Sequence, residues 1–579
     1  MATIQAKTSR GHKYWYIVES RRVNGKPRPI VLAYLGKAED LVKRLQGITD
    51  GVRLKSYSHG AVAALLKIAN ELEVCNTINH YIQSPRSYRA KKPVRHALTA
   101  GMTFLLAAIG RTCMPTSKRG WWVWAKTTSL EYLLRCNLSQ IDSQHFWDLM
   151  DALPVEAIEN IEQTLLKKAF SLYGLDTDSV FFDTTNFFTY IDTTNTRCTV
   201  AQRGKNKQKR HDLRQIGLAM VVSRQDMIPL FHLTYEGNLH DSKVFQQVIQ
   251  ALKKRMKALG MADEKHTMVF DRGNNSKHNM ALLQQAQLHY VGALTPYQHQ
   301  ALIKDAMNNL QHLTIDENTS WQVYREVRDI WGEQRTVIVY ISETLKAGQL
   351  RGLYRSLEKA EKNLKELQAT LHHPQVKKRD GEKLNDQLKK MVSVQFINTL
   401  IEWSLTEYSP GKFQLHYTVR QDLFNELEAR MGFRILMTDR HEWSTEDIIR
   451  TYHGQSKVEQ AFKELKNPHH LAVKPQYPWT DQKIHVHYFI CVLGYLLATL
   501  VYKQVKTQCA FTGSLDSLLE TLNHIRLGAL LEESTTPGKA KAIYKLEEMT
   551  EEDQAILQAL AIEDMHHQRP TLKGVGVYT

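Results

Sequence analysis

The sequence predicts an α/β protein whose core is interrupted by a large insertion and preceded by a mainly helical N-terminal region. Strand-like apolar runs alternate with helical spacing between residues 178 and 294, which is typical of an α/β domain. Apolar residues between about 60 and 169 recur at helical spacing instead. A chain of 579 residues also exceeds one ordinary hydrophobic core, so we expect several domains.

Composition narrows the class of protein. A formal net charge of +16 fits a polyanionic partner such as nucleic acid, although any basic soluble protein could carry it. The six cysteines form no CxxC pair, so neither a disulfide scaffold nor a zinc ribbon is indicated, and this usage fits a reducing cytosol. The N-terminus has no apolar signal core, and the apolar run Tyr488–Tyr502 is shorter than the roughly 20 residues of a spanning helix. We therefore expect a cytoplasmic protein with no membrane partner.

The first 50 residues predict a β-hairpin. Tyr14–Val18 and Pro29–Tyr34 are strand-like and flank the turn signal Asn24-Gly25. The basic residues near its tip could contact a phosphate backbone or form a solvated turn, and they are Arg21, Arg22, Lys26 and Arg28.

The helical region that follows contains a basic, aromatic stretch, Lys118–Lys126. This helical region is the candidate for recognising nucleic acid. A packed aromatic core explains the tryptophans of the stretch at least as well.

Three strands, a helix and a strand follow in an order that matches a ribonuclease-H-like core. These elements are Val180–Phe182, Gln215–Val222, Pro229–Tyr235, the helix Ser242–Leu259 and Thr267–Phe270. We interpret Asp241 as a helix cap and not as a metal ligand, and Asn238 as a turn residue.

Three acidic residues, Asp183, Asp271 and Glu459, predict a two-metal phosphoryl-transfer site. Asp is depleted in strands, so an Asp that closes an apolar run suggests ligation of a hard divalent cation. Glu459 lies midway between Tyr452 and Lys466, and the spacing of seven returns all three to nearly one helix azimuth. A metal pair held there would stabilise the attacking and leaving oxygens.

Each acid also has an ordinary interpretation. An isolated Asp after a strand is more often a turn or cap residue, and Glu459 could pair with Lys463 or Lys466 on a helix surface. Asp439 ends a strand too and is the main rival to Asp183 or Asp271.

A cationic loop lies close in sequence to Asp183 and could steer a nucleic-acid backbone toward the metals. Exposed basic loops are common, so a solvated loop is the alternative. Its basic residues are Arg203, Lys205, Lys207, Lys209 and Arg210.

The 187 residues between Asp271 and Glu459 exceed what a helix and a strand require, so we expect an inserted module. The strands expected in it are Trp321–Val327, Thr336–Tyr340 and Phe413–Val419. Leucines from Leu350 to Leu371 follow a three-four spacing and predict a helix, with a second helix at Glu382–Met391. The helices could form a hairpin that projects from a small sheet and packs internally or dimerises. Gly432–Asp439 would then return to the core.

These motifs resemble the DDE transposases of bacterial insertion sequences, in the group with a Tyr-x2-Arg-x3-Glu-x6-Lys motif. Tyr452, Gln455, Glu459 and Lys466 keep its spacing, with Gln455 in place of Arg. The resemblance implies that Asp183, Asp271 and Glu459 are the catalytic residues and bind two Mg²⁺ or Mn²⁺ ions. It implies phosphate contacts from Tyr452, Gln455, Lys463 and Lys466, and base stacking by Trp321 or Trp331, which core packing explains equally well.

The resemblance also implies the partners and the reaction. The partners would be double-stranded DNA, as terminal inverted repeats and target, and a second copy in a synaptic homodimer at the bacterial nucleoid. The enzyme would cleave a phosphodiester bond and join the 3′ end to the target. The alternatives are a ribonuclease-H-like nuclease and a non-catalytic DNA-binding descendant.

The predicted domains follow from these boundaries. They are the hairpin (1–50), a DNA-end-binding helical domain (51–172), the core in two parts (173–295 and 431–515), the insertion (296–430) and a C-terminal helical region (516–579).

Overall fold

A computed structural model describes residues 2–9, 12–23, 26–37, 52–82, 96, 98–206, 208–260, 266–316, 319–373, 375, 377–532 and 542–569. The chain divides into two compact units. The first contains Met1–Lys168, Glu464–Pro478 and Gln482–Thr579, and the second contains Ala169–Lys463 and Trp479–Asp481.

The strands are β1 (Ala2–Ser9), β2 (His12–Val23), β3 (Lys26–Lys37), β4 (Val52–Ser58), β5 (Ser179–Thr189), β6 (Arg214–Ser223), β7 (Pro229–Glu236), β8 (Thr267–Phe270), β9 (His289–Leu294), β10 (Gln311–Asp316), β11 (Thr319–Ile330), β12 (Glu333–Ile341), β13 (Ile401–Ser409), β14 (Lys412–Val419), β15 (Phe433–Thr438), β16 (Arg526–Glu532) and β17 (Ala542–Leu546).

The helices are α1 (Gly60–Glu71), α2 (Val74–Tyr81), α3 (Ala100–Cys113), α4 (Trp121–Ala125), α5 (Leu130–Leu134), α6 (Ser143–Ala152), α7 (Val155–Tyr173), α8 (Asp241–Ala258), α9 (Lys277–Gln285), α10 (Gln300–Asn309), α11 (Glu343–His372), α12 (Gly381–Met391), α13 (Ile397–Leu400), α14 (Gln421–Ala429), α15 (Thr445–His453), α16 (Ser456–Glu464), α17 (Asp481–Gln508), α18 (Leu515–His524) and α19 (Glu551–Ala559).

Two small sheets belong to the first unit. The predicted hairpin is present as β2 and β3, and β1 adds a third antiparallel strand. Its predicted turn, Asn24-Gly25, lies outside the described residues, as do the side chains of Arg21, Arg22 and Lys26. The second sheet has the order β17-β16-β4 and brings the C-terminal region onto the start of the helical region.

Helices supply the core of the first unit. Trp121 and Trp124 are buried, and the Trp121 indole donates to the Leu106 carbonyl oxygen at 3.1 Å, so packing accounts for both rings. In α17, a Cβ on Gly494 would lie 2.8 Å from Thr112 Oγ1 of α3, so only glycine permits this close approach. Among the described residues α17 is the one helix long and apolar enough to span a membrane. Its most apolar window is 94% buried, as in the core helix of a soluble protein.

A nine-stranded sheet organises the second unit, in the order β10-β11-β12-β15-β9-β8-β5-β6-β7. β5 pairs antiparallel with β6 and parallel with β8, and β8 pairs parallel with β9. Helix α8 packs on this sheet through Phe245, whose ring lies 5.2 Å from Phe182 and 4.8 Å from Phe270. The four strands and the helix predicted between residues 178 and 294 are therefore all present.

The cap of α8 differs from the prediction. His240 has extended backbone angles and its ring accepts from the Ser242 N–H, whereas Asp241 is already inside the helix. The prediction that Asp241 caps the helix was wrong, because a capping residue must precede the first helical residue. Asn238 does lie in a turn, which the Leu239 N–H closes onto the Glu236 carbonyl oxygen at 3.0 Å.

The predicted strands after residue 296 are present but do not share a small sheet. β11 and β12 extend the large sheet through β15, while β13 and β14 form a separate two-stranded sheet. Leu364 and Leu371 of α11 and Leu388 of α12 pack in one apolar cluster with Leu415 of β14. The helical pair thus packs internally around a core of its own.

Candidate active site

Asp183 lies in β5, and Asp271 directly follows the neighbouring parallel strand β8. Phe182 of β5 is in register with Phe270 of β8, and each aspartate is the next residue of its chain. Since parallel strands run about 4.8 Å apart and alternate their side chains, the two carboxylates leave the same face of the sheet. Asp183 is half-buried and Asp271 is exposed.

A local hydrogen bond orients each carboxylate. Asp183 Oδ1 accepts from the Thr184 N–H at 2.7 Å, and Asp271 Oδ1 accepts from the Arg272 N–H at 2.6 Å. Asp271 thereby caps the short 3₁₀ turn Arg272–Asn274. The chain turns away from the sheet at this point, which leaves the carboxylate at the sheet edge.

Two short helices present Tyr452 and Glu459. α15 ends just after Tyr452, which is 7% exposed, and α16 carries the exposed Glu459 in its first turn. Between them, a Cβ on Gly454 would lie 2.5 Å from the Phe181 ring, so the helix break is pressed against β5. This close approach explains why a glycine separates the two helices.

A cleft of about 1560 Å³ joins these residues. Asp271, Tyr452, Gln455 and Glu459 all line it, and Asp183 stands beside Asp271 without lining it. Among the described residues, no three His, Cys, Asp or Glu side chains are grouped closely enough to hold a metal ion. The arrangement is therefore an aspartate pair on the sheet with a glutamate elsewhere on the cleft wall.

Burial and nearby charges shift the pKa of Tyr452. This pKa is raised to about 12, first by burial and then by the negative charges of Asp271 and Glu459, while Arg434 and Arg272 oppose the rise. The phenol therefore stays protonated at neutral pH and is a hydrogen-bond donor between two carboxylates.

Several cationic or titratable residues of the cleft were missed at the sequence level: Arg272, Lys304, Arg430, Arg434 and His453. Burial, followed by the charge of Arg434, lowers the pKa of His453. Arg272 directly follows Asp271, so that position alone could have indicated it. Arg434 could not be found in this way, because only the pairing of β15 brings it here.

The two candidate stacking residues occupy different surroundings, and neither lines the cleft. The Trp321 ring packs 5.8 Å from the ring of His453, a cleft residue, and 6.3 Å from that of Tyr340. Trp331 has a φ of +60° in the turn between β11 and β12, and Arg335 lies over its ring at 5.9 Å. Base stacking by either residue stays a prediction.

The described basic residues of the loop, Arg203, Lys205, Lys209 and Arg210, are exposed, and Lys207 lies outside the described residues. Arg210 makes a bidentate contact with Asp212, at 2.8 and 2.7 Å, which lowers the pKa of Asp212 to about 2. Part of the loop's charge is thus neutralised internally.

The remaining predicted phosphate contacts lie on and after α16. Lys463 is exposed on α16, while Lys466, also exposed, belongs to the first unit.

Asp439 stands at the opposite edge of the sheet from Asp271. It accepts from the Tyr290 N–H at 3.0 Å and contacts His289 Nδ1 at 2.8 Å, at the beginning of β9. Asp271 follows the end of β8, which runs parallel to β9. The rival carboxylate therefore lies away from Asp271 and is engaged by the first two residues of β9.

A family model described as the transposase DDE domain matches residues 172–476, more than half of the chain. This chain belongs to the DDE transposases. A second model, the N-terminal domain of IS1634 family transposases, matches residues 2–58, so the transposase is of the insertion-sequence type. The predicted family is confirmed, and its matched span contains Asp183, Asp271 and Glu459.

Among solved structures, a piggyBac transposase synaptic complex with hairpin DNA is similar to this transposase. It is 8% identical, covers 79% of each chain and has a TM-score of 0.40. No curated protein matches the chain.

Proposed function

We propose that this transposase binds the terminal inverted repeats of its insertion sequence, cleaves a phosphodiester bond there and joins the freed 3′ end to target DNA. The observation that carries the proposal is the register of Phe182 with Phe270, the residues before Asp183 and Asp271, beside a cleft that Asp271 and Glu459 line. The strand order 3-2-1-4-5 of β7-β6-β5-β8-β9 supports a ribonuclease-H-like core for this chemistry.

The donor set fits divalent metal ions. Mg²⁺ is usually bound by one or two carboxylates, with water and substrate phosphate as its other ligands, so the pair Asp183 and Asp271 with DNA meets this requirement. Glu459 would complete the set when DNA occupies the cleft. Two bound Mg²⁺ or Mn²⁺ ions would stabilise the charge on the attacking and leaving oxygens.

The protein's own groups orient the DNA. Protonated Tyr452 donates to a phosphate oxygen, and Gln455, on the same cleft wall, adds a neutral contact. Positive charge for the backbone comes from exposed residues: Arg203, Lys205, Lys209, Arg210, Lys463 and Lys466.

The assembly we propose is a synaptic homodimer on two DNA ends, in the bacterial cytoplasm at the nucleoid. The six free cysteines suit a reducing compartment.

The test is cleavage and joining of a labelled duplex that carries the element's own terminal repeats, with and without Mg²⁺. Glu459→Ala should abolish both activities yet leave binding of the duplex intact, because it removes a metal ligand and no positive charge. Asp439→Asn is the matched control and should cleave like the wild type.

Three other results would contradict parts of this proposal. Binding without cleavage by the wild type would indicate a DNA-binding descendant, and cleavage without end specificity or joining would indicate a nuclease. Loss of cleavage in Asp439→Asn, with the fold intact, would show that the ligands are assigned wrongly.

A further inference from the structure

Arg434 occupies the same sheet edge as the aspartate pair. It is the second residue of β15, and the next residue, Ile435, pairs antiparallel with Leu294, the last residue of β9. Because β9 runs parallel to β8, the beginning of β15 lies at the edge where Asp271 follows β8. Arg434 and Asp271 accordingly line one cleft.

The side chain of Arg434 is half-buried and incompletely satisfied. Its Nε is buried, and among the described residues it has no hydrogen-bond partner. Across the strand pair its neighbour is Tyr340, a buried residue whose hydroxyl contacts His453 Nε2 at 2.9 Å. A buried donor without a partner is unfavourable, and an anion that accepts from the other N–H groups of this guanidinium would offset that cost.

The charge around Arg434 indicates what that ligand is. Asp271 and Glu459 place negative charge near Tyr452, which repels a DNA phosphate unless a cation lies beside it. Gln455 carries no charge, whereas the Arg434 guanidinium lies close enough to oppose the rise in the pKa of Tyr452. A planar fork of N–H donors matches two oxygens of a phosphate, which a single ammonium does not.

We propose that Arg434 is a phosphate-positioning residue, whose guanidinium binds a backbone phosphate of the DNA strand held between Asp271 and Tyr452. This inference rests on the proposed function, since it takes DNA as the occupant of the cleft. The positive charge that contacts the phosphate would then come from Arg434 in the sheet, because Gln455, next to the helix that carries Glu459, is neutral.

The test measures binding of the terminal-repeat duplex as salt rises, in EDTA so that no cleavage occurs. Each phosphate contact contributes about −0.9 to the slope of log K against log salt. Arg434→Gln should make the slope about 0.9 less steep and weaken binding about tenfold at low salt. A slope equal to the wild type, in a variant with the wild-type melting temperature, would overturn the proposal.

Arg440→Gln is the matched control. Arg440 is buried just beyond the other end of β15, and its Nε already donates to Thr267 Oγ1 at 3.0 Å. This variant should lose stability and keep the wild-type slope. An equal change of slope in both variants would mean that the effect comes from loosening of the sheet, and the proposal would fail.

If Arg434→Gln does not fold, Arg434→Lys tests whether the guanidinium of Arg434 binds the phosphate. It keeps the charge, so the slope should stay at the wild-type value, while cleavage at saturating DNA should fall because the fork is lost. Unchanged cleavage would contradict the assigned role. Failure of the wild type to cleave would count against the proposed function instead, because the binding slopes are measured without cleavage.

Discussion

At the scale of single residues, the site depends on side chains whose protonation is set by burial. Tyr452 is held neutral between Asp271 and Glu459, so it offers a proton to a phosphate oxygen without adding charge. His453 is also shifted toward its neutral form, by burial and by Arg434. The positive charge near Tyr452 is therefore carried by Arg272 and Arg434, and arginines do not titrate near neutral pH.

The buried His59, in the first unit, should make the stability of the protein depend on pH. It is fully buried, its Nδ1 lies 2.8 Å from Ser129 Oγ, and burial followed by the charge of His566 lowers its pKa to about 4. Below pH 6.5 the unfolded chain binds a proton that the native histidine does not. Native stability is thus lost as pH falls from about 6.5 to about 4, by about 3 kcal/mol at most.

Urea unfolding of the whole chain between pH 7 and pH 4.5 measures this effect. The wild type should lose more stability with falling pH than His59→Gln, which has no titrating ring. His80→Gln, at an exposed position, should follow the wild type. Identical pH profiles for His59→Gln and the wild type would refute the role assigned to His59.

At the scale of elements, pairing between distant segments decides where each side chain lies. β15 runs antiparallel to β9, which brings Arg434 to the cleft and sends Asp439 to the other edge. Likewise, β11 and β12 join the large sheet because β12 pairs with β15. Strands pair through main-chain hydrogen bonds, which do not depend on residue type. The sequence therefore predicted these strands but not which strands pair with each other.

The long helix α11 should be stabilised by the apolar cluster into which its leucines pack. Leu364 is fully buried there, so Leu364→Ala should cost about 2–5 kcal/mol, whereas the exposed Lys365→Ala should change stability by less than about 0.5 kcal/mol. Chemical denaturation with limited proteolysis would show where the loss occurs. Equal stability of the two variants would mean that α11 is not held by this cluster.

At the scale of the whole molecule, the net charge of +16 favours DNA, but its distribution decides which residues bind. The exposed loop beside β6 is one site where that charge is concentrated. Because Asp212 already engages Arg210, we expect Lys205 and Lys209 to contribute more to DNA binding than Arg210.

The double variant Lys205→Gln, Lys209→Gln should make the salt slope of DNA binding about 1.8 less steep, at about 0.9 per lost contact. Arg210→Gln should change it less. Fluorescence anisotropy with a labelled duplex between 50 and 300 mM salt measures both. A larger effect from Arg210→Gln would show that its contact with Asp212 gives way to DNA.

Local patterns determined much of this molecule. Apolar periodicity predicted the strands from β5 to β8, the helices α8, α11 and α12, and the buried α17, because burial of one face selects the residues on that face. Strand-ending aspartates and the spacing from Tyr452 to Lys466 were sufficient to indicate the family. Each of these signals lies within a few turns or one strand of the chain.

Only the tertiary structure decided which residues share the site. The register of β5 with β8 placed Asp183 beside Asp271, the same sheet removed Asp439 from them, and the cleft added Arg434. These relations join residues more than 80 positions apart in sequence, whose contacts depend on chain folding and not on local spacing. The sequence therefore determined the chemical groups, and the packing of the sheet determined which of them meet.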